Sequence, residues 1–226
     1  MEFIQSSLVG DANLKAYYRF ESGALTTDSS GNSKTLTTTG TVTSVAGGKF
    51  NNTASATFNI SNYLQSTPLA SAIATGDVSF GCWFKKNGAP SVAQGTVLAT
   101  GDFGGTNERF YLNVQVTTGY LEVYAFDGTN NPGNISNDNA CDNVWHLVVY
   151  TRTGNVQKGY LDGAEVASVD STLGDVAGTK FNIGVGVTGE ECEAALIDDA
   201  FILDRLLSPT EIAALYAEGG NLLAFF

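Results

Sequence analysis

Ala195-Leu-Ile-Asp-Asp-Ala-Phe-Ile-Leu203, followed by Asp204-Arg-Leu-Leu-Ser208-Pro209-Thr-Glu211-Ile-Ala-Ala-Leu-Tyr-Ala-Glu-Gly219, reads as one strand, one turn and one short helix. Leu196 to Leu203 is apolar with two adjacent acids inside it, which suits a buried strand. Ser208 is a helix N-cap, Pro209 takes the first helical position, and Glu211 lies three residues past the cap. That spacing predicts a capping box, in which the Ser208 hydroxyl and the Glu211 carboxylate each satisfy an orphan backbone N–H. Ile212, Leu215 and Tyr216 make one apolar stripe at helical spacing, and Gly219 and Gly220 supply a left-handed stop. One short helix after a long run of strands predicts a latch packed on the sheets.

Working outward, the rest of the chain reads as many short strands separated by turns. Val78 to Lys85 alternates, with Val78, Phe80, Cys82 and Phe84 on one face and Ser79, Gly81, Trp83 and Lys85 on the other. Phe110–Val116 and Tyr120–Phe126 flank a Thr117-Thr118-Gly119 hairpin, and Asp162-Gly163 is a second hairpin signal. Asp127 to Asn143, rich in Asn, Asp, Gly and Pro, is predicted to be a long loop, and Leu69 to Thr75 a helical turn. Turns every eight to twelve residues in a chain of 226 predict an all-β sandwich of two antiparallel sheets. The expected division is an arm or first strand over 1–10, the sandwich over 11–220, and an apolar tail over 221–226. The tail is read either as a last strand or as a docking peptide for a neighbouring subunit.

Four segments in order carry a family resemblance. They are Ala16-Tyr-Tyr-Arg-Phe-Glu21 followed by Asp28-Ser-Ser-Gly-Asn32, Val78 to Lys85, Trp145-His-Leu-Val-Val-Tyr150 with Gly159-Tyr-Leu-Asp-Gly163, and the strand–helix stretch quoted first. Over residues 11 to 219 the set resembles laminin-G-like, concanavalin A-like lectin/glucanase jelly-roll domains. The resemblance implies a jelly-roll sandwich. It also implies that the Asp28–Asn32 loop and the Ile-Asp-Asp strand lie together and share a structural calcium ion. The ligands expected on that basis are Asp28 and Asp199, then Glu21 and Asn32, then Asp198. The residue types fit, since calcium takes carboxylate, amide and carbonyl oxygens on a turn. Read without the resemblance, the same loop is an Asx turn. The two adjacent acids in an apolar strand favour the ion, because a buried carboxylate needs a partner.

Catalysis finds little support. Glycoside hydrolysis needs two carboxylates flanking the bond, and the glucanase run Glu-x-Asp-x-x-Glu is absent; Glu190-Glu-Cys-Glu193 is a solvated acidic loop. The single histidine, His146, sits in an apolar strand and reads as structural. Sugar recognition uses aromatic faces with planar polar groups. Loops rich in such groups are Asp102 to Arg109 and Asp127 to Asp142, with Tyr111, Tyr120, Tyr124 and Trp83 on nearby strands. The candidates are Asp102, Asn107, Arg109, Tyr111 and Tyr124, and each also reads as an ordinary surface-loop or core aromatic residue.

The net charge of −12 argues against nucleic acid and anionic membranes as partners. Cys82, Cys141 and Cys192 imply no disulfide framework, and all three are expected reduced, although Cys141 and Cys192 both flank loops. Met1 to Ser6 has no basic region and no long apolar run, so no signal peptide is visible. The expectation is a non-catalytic domain that binds a glycan or a cell-surface polysaccharide. It is displayed on a particle such as a bacteriophage virion, or on an extracellular surface, with other virion subunits met through the tail. A decoration protein with no sugar ligand, and a secreted carbohydrate-binding module or remote glycoside hydrolase, are the alternatives.

Overall fold

A computed structural model describes residues 8, 10–49, 54–58, 61–69, 76–91, 94–101, 108–176, 178–186, 192 and 194–219. The tail, most of the arm, the 70–75 segment and the Glu190–Glu193 loop apart from Cys192 lie outside the described residues, so those expectations have no structural counterpart here.

The strands are β1 (Leu14–Tyr18), β2 (Leu36–Thr39), β3 (Thr43–Ala46), β4 (Ala54–Phe58), β5 (Tyr63–Ser66), β6 (Val78–Lys86), β7 (Gly95–Thr100) and β8 (Arg109–Val114). They continue as β9 (Tyr120–Phe126), β10 (Gly133–Asn139), β11 (His146–Thr153), β12 (Val156–Leu161), β13 (Ala164–Asp170), β14 (Phe181–Ile183) and β15 (Ala195–Leu203), and the helix α1 spans Pro209–Ala217. Two antiparallel sheets result. The first runs β13-β12-β11-β6-β15-β4-β3, with β1 also on β15; the second runs β10-β9-β8-β7-β14-β5-β2. This is the predicted jelly-roll sandwich.

Alternation along β6 sorts the packing. Val78, Phe80, Cys82 and Phe84 enter the core between the sheets, while Trp83 joins a second cluster on the outer face of the first sheet. That second cluster also holds Tyr17, Leu147, Val149, Phe201, Ile212 and Leu215, so α1 is the latch that covers the outer face. Burying Ile212 and Leu215 contributes roughly 1.5–3 kcal/mol each. The capping box forms as predicted: Glu211 N donates to Ser208 Oγ and Ser208 N donates to Glu211 Oε2. Gly219 ends the helix at φ 76°. Tyr216 departs from the expected buried stripe, being 41% exposed while its ring stacks on Trp83 at 5.9 Å.

One correction concerns the long loop. Within 127–143 lies β10, an edge strand paired to β9 through Gly133↔Tyr124 and Ile135↔Glu122. Its sequence, Gly-Asn-Ile-Ser-Asn-Asp-Asn, has turn composition. The neighbouring strand supplies the order, since an edge strand needs only one row of backbone partners.

At β15 the chain changes neighbours. Residues Ala195–Ile197 pair with β4, and Ala200–Leu203 pair with β1, while β6 runs along the other side of both halves. A register shift falls between Asp198 and Phe201, and Asp199 there has φ 49°. The two adjacent acids therefore occupy a bulge, where a strand can re-aim its side chains.

Candidate functional site

Among the described residues no helix lies over the outer face of the second sheet, and its strands carry an aromatic and polar surface there. On β8, Phe110, Leu112 and Val114 point into the core, which leaves Arg109, Tyr111 and Asn113 outward. On β9, Leu121, Val123 and Ala125 point inward, which leaves Glu122, Tyr124 and Phe126 outward. Register places Arg109 opposite Phe126, Tyr111 opposite Tyr124, and Asn113 opposite Glu122.

Three of the expected sugar-contact residues, Arg109, Tyr111 and Tyr124, thus meet. The Tyr111 and Tyr124 ring centroids are 6.0 Å apart. The Arg109 guanidinium lies 5.1 Å from the Tyr111 centroid, 5.6 Å from Tyr124 and 5.0 Å from Phe126. Such cation–π contacts hold the guanidinium plane in place. Tyr111 is 2% exposed, so it forms the floor of the cluster, with half-buried Tyr124 and Phe126 and the Arg109 head above it. Asp102 and Asn107 lie outside the described residues.

The row continues across the sheet. Ala99 pairs with both Tyr111 and Asn182, and Asn182 pairs with Gln65. Gln65 Nε2 donates to Asn182 Oδ1 at 2.7 Å, Asn182 Nδ2 donates to the Gly101 carbonyl at 3.0 Å, and Lys180 Nζ donates to Gln65 Oε1 at 3.1 Å. Small Ala99 separates an aromatic half from an amide half. Sequence reading missed Phe126, Asn182 and Gln65. Each alternates with an inward apolar residue on its strand, and that period was the available signal.

The expected calcium ligands divide. Asp28 is spent within its own surroundings: Oδ1 accepts from Tyr17 N at 3.0 Å and Ser30 N at 2.9 Å, and Oδ2 accepts from Ser30 Oγ at 2.9 Å and Lys34 N at 2.8 Å. Asn32 Nδ2 donates to the Leu14 carbonyl at 2.7 Å. Asp199 stands at the other end of Tyr17, whose hydroxyl donates to Asp199 Oδ1. Asp198 accepts at Oδ2 from Lys49 N at 2.9 Å. Glu21 forms an ion pair with Arg19 at 2.6 Å. Tyr17 therefore links the two carboxylates that the resemblance brings to one ion.

Asp199 Oδ2 is buried and has no hydrogen-bond partner. Burial, then the adjacent Asp198 charge, pushes the Asp199 carboxyl well above its ordinary range. Its chemistry suits a hard cation, with an orphaned carboxylate oxygen beside a second carboxylate. Among the described residues, no group of three or more His, Cys, Asp or Glu side chains is arranged to hold a metal.

His146 is structural. Nδ1 lies 2.8 Å from Asp162 Oδ2 and Nε2 lies 2.9 Å from Asp142 Oδ1, so both ring nitrogens are taken. The three cysteines are buried, and none is bonded to another. No described helix is long and apolar enough to cross a membrane.

Known structures share this fold. Domain 4 of AbnA, a GH43 extracellular arabinanase from Geobacillus stearothermophilus solved with arabinotriose, superposes with a TM-score of 0.73 at 20% identity, covering 90% of this chain and 98% of that one. The binding domain of Paraclostridial Mosquitocidal Protein 1 gives 0.71 at 15% identity, covering 92% of this chain and 53% of that one. The binding domain of Botulinum Neurotoxin DC, solved with SialylT, gives 0.69 at 11% identity, covering 92% and 52%. The chain thus spans about half the length of these toxin domains. A search of curated protein sequences finds no match. The family described as the concanavalin A-like lectin/glucanases superfamily matches residues 58–213, more than half of the chain. Strand order, sandwich and matched span agree, and the chain belongs to that superfamily.

Proposed function

We propose that this domain is a non-catalytic glycan-binding module whose contact surface is the outer face of the second sheet. The observation that carries the reading is the Arg109–Tyr111–Tyr124–Phe126 cluster. It is a fixed guanidinium among aromatic rings on a face that no described helix covers, with hydrogen-bonding amides one strand beyond Ala99. Aromatic faces take the apolar side of a sugar ring, and planar polar groups take its hydroxyls. The arabinotriose and SialylT complexes of structural neighbours support the class of ligand.

Strand composition supports binding over hydrolysis. The seven strands of the second sheet carry two carboxylates, Glu122 on β9 and Asp138 on the edge strand β10, and no strand carries a pair. The glucanase run, which sets alternate carboxylates of one strand along the cleft to flank the glycosidic bond, is absent from the sequence.

A calcium ion at Asp199, beside Asp198, is the accompanying proposal, supported by the orphaned Asp199 oxygen. It would stiffen the β15 bulge and neutralise a buried charge. Display on a virion or another extracellular surface remains part of the reading as context for a glycan binder.

The test is an array of glycans probed with the folded protein in calcium and again in chelator. Saturable binding to one sugar family is the expected result. A blank array from folded protein would overturn the reading in favour of a structural decoration role.

A further inference from the structure

Beside the aromatic row runs a second row on the same face, one step further along the strands. Thr96 on β7 pairs with Asn113 on β8, Asn113 pairs with Glu122 on β9, and Glu122 pairs with Ile135 on β10. Gln115 follows Asn113 by two residues, which puts it on the same side. Thr96 is 0%, Asn113 1% and Glu122 7% exposed, yet Ile135 at the end of the row is 49% exposed. The row is therefore deep at β7 and open at β10.

Polar groups at such depth are normally paired. Here Asn113 Nδ2 donates to Glu122 Oε2 at 3.1 Å and the Gln115 amide also hydrogen-bonds the Glu122 carboxylate, but Thr96 Oγ1 and Asn113 Oδ1 have no partner. A donor–acceptor hydroxyl and an acceptor oxygen thus stand opposite one another on two paired strands. Leaving them unmet is unfavourable, and a ligand that meets them recovers what folding gave up.

We propose that Thr96, Asn113, Gln115 and Glu122 form a hydroxyl-binding subsite for a neutral sugar residue, continuous with the aromatic cluster. This rests on the glycan-binding reading above and narrows it. A sugar hydroxyl both donates and accepts, so vicinal hydroxyls match the mixed set. A carboxylate or phosphate only accepts, and would face Asn113 Oδ1 and the Glu122 carboxylate with nothing to give them. Arg109, Tyr111 and Asn113 follow at two-residue steps of about 7 Å. The ligand therefore lies along β8, with one sugar ring at the Tyr124 platform and the next over Asn113 and Glu122.

The experiment uses an array of matched neutral, sialylated and uronate-bearing oligosaccharides, then calorimetric titration of the best ligand into wild type, Thr96→Val, Glu122→Gln and Tyr124→Ala. Binding to neutral chains is expected. Thr96→Val removes an unpartnered hydroxyl at constant shape, so its affinity is expected to fall tenfold or more while its melting temperature rises. Glu122→Gln keeps the shape and is expected to weaken binding by a similar factor. If Tyr124→Ala abolishes binding but Thr96→Val and Glu122→Gln leave affinity unchanged, glycan binding stands and this subsite is overturned. A preference for acidic chains overturns it also. A lowered melting temperature for Thr96→Val with unchanged affinity would assign the row to an ordered water. An array blank for folded wild type would overturn the functional reading itself, and the subsite with it.

Discussion

Tyr17 donates its hydroxyl hydrogen to Asp199, a residue 182 positions later in the chain. Both are buried, so the bond is a long-range tie between β1 and the β15 bulge. Removing the hydroxyl in Tyr17→Phe leaves the Asp199 oxygen without its partner and is expected to lower stability by about 1–3 kcal/mol. Urea unfolding checks this, with an unchanged slope and a shifted midpoint.

The calcium proposal gives a second expectation at the same place. Calcium should raise the melting temperature of wild type, chelator should reverse the rise, and Asp199→Asn should abolish it. An equal rise in Asp199→Asn would move the ion elsewhere.

His146 predicts a pH dependence. Hydrogen bonds to Asp162 and then Asp142 raise its pKa above the ordinary imidazole value, against burial, which lowers it. A histidine whose folded pKa is raised contributes stability that is full below its unfolded value near about 6.5 and is lost as pH rises through the folded value. Asp142 is shifted down, mainly by its bond to His146, so its contribution is present above the unfolded carboxylate value and lost on acidification. The urea midpoint should be higher at pH 5.5 than at pH 8.5, and His146→Gln should flatten that difference.

Tyr124 is half-buried on the outer face and packs on Tyr111 and Arg109 rather than in the main core. Tyr124→Ala should weaken glycan binding about tenfold or more. Its far-ultraviolet circular dichroism spectrum should match that of wild type. Titration calorimetry reads the first and spectroscopy controls for the second.

Ser208→Ala removes the N-cap of the latch and should cost about 1 kcal/mol of stability. Because α1 covers Trp83, Trp83 fluorescence should report the loosening before global unfolding.

The fold was legible where a residue's local pattern and its tertiary role coincide. Val78 to Phe84 alternates because one face meets the inter-sheet core. Ser208, Pro209 and Glu211 announce a helix by their spacing alone. Strand β10 was not legible, since Asn134, Ser136 and Asn137 read as turn residues and only the β9 backbone makes them a strand. Arg109, Tyr111 and Tyr124 could be found because aromatic and planar side chains stand out near a polar loop. Thr96, Asn113 and Glu122 could not. Each is unremarkable by itself, and their meeting depends on cross-strand register, which the sequence of one strand does not contain. Asp28 looked like both an ion ligand and an Asx turn; its carboxylate accepts from Ser30 as an Asx turn does, and also from Tyr17 N on β1 and Lys34 N beyond the turn.

The pairing of Leu14 with Leu203 and of Tyr18 with Ala200 also bears on how the chain is made. β1 leaves the ribosome early but finds its neighbour only when β15 follows, almost the whole domain later. Until then β6 too lacks one of its two flanking strands. Topology of this kind slows folding towards the millisecond-to-second range, because distant segments must meet before their contacts reward the loss of chain freedom. Between the emergence of β1 and that of β15 the nascent chain exposes unpaired strand edges, and the first sheet is complete only after translation has passed residue 203.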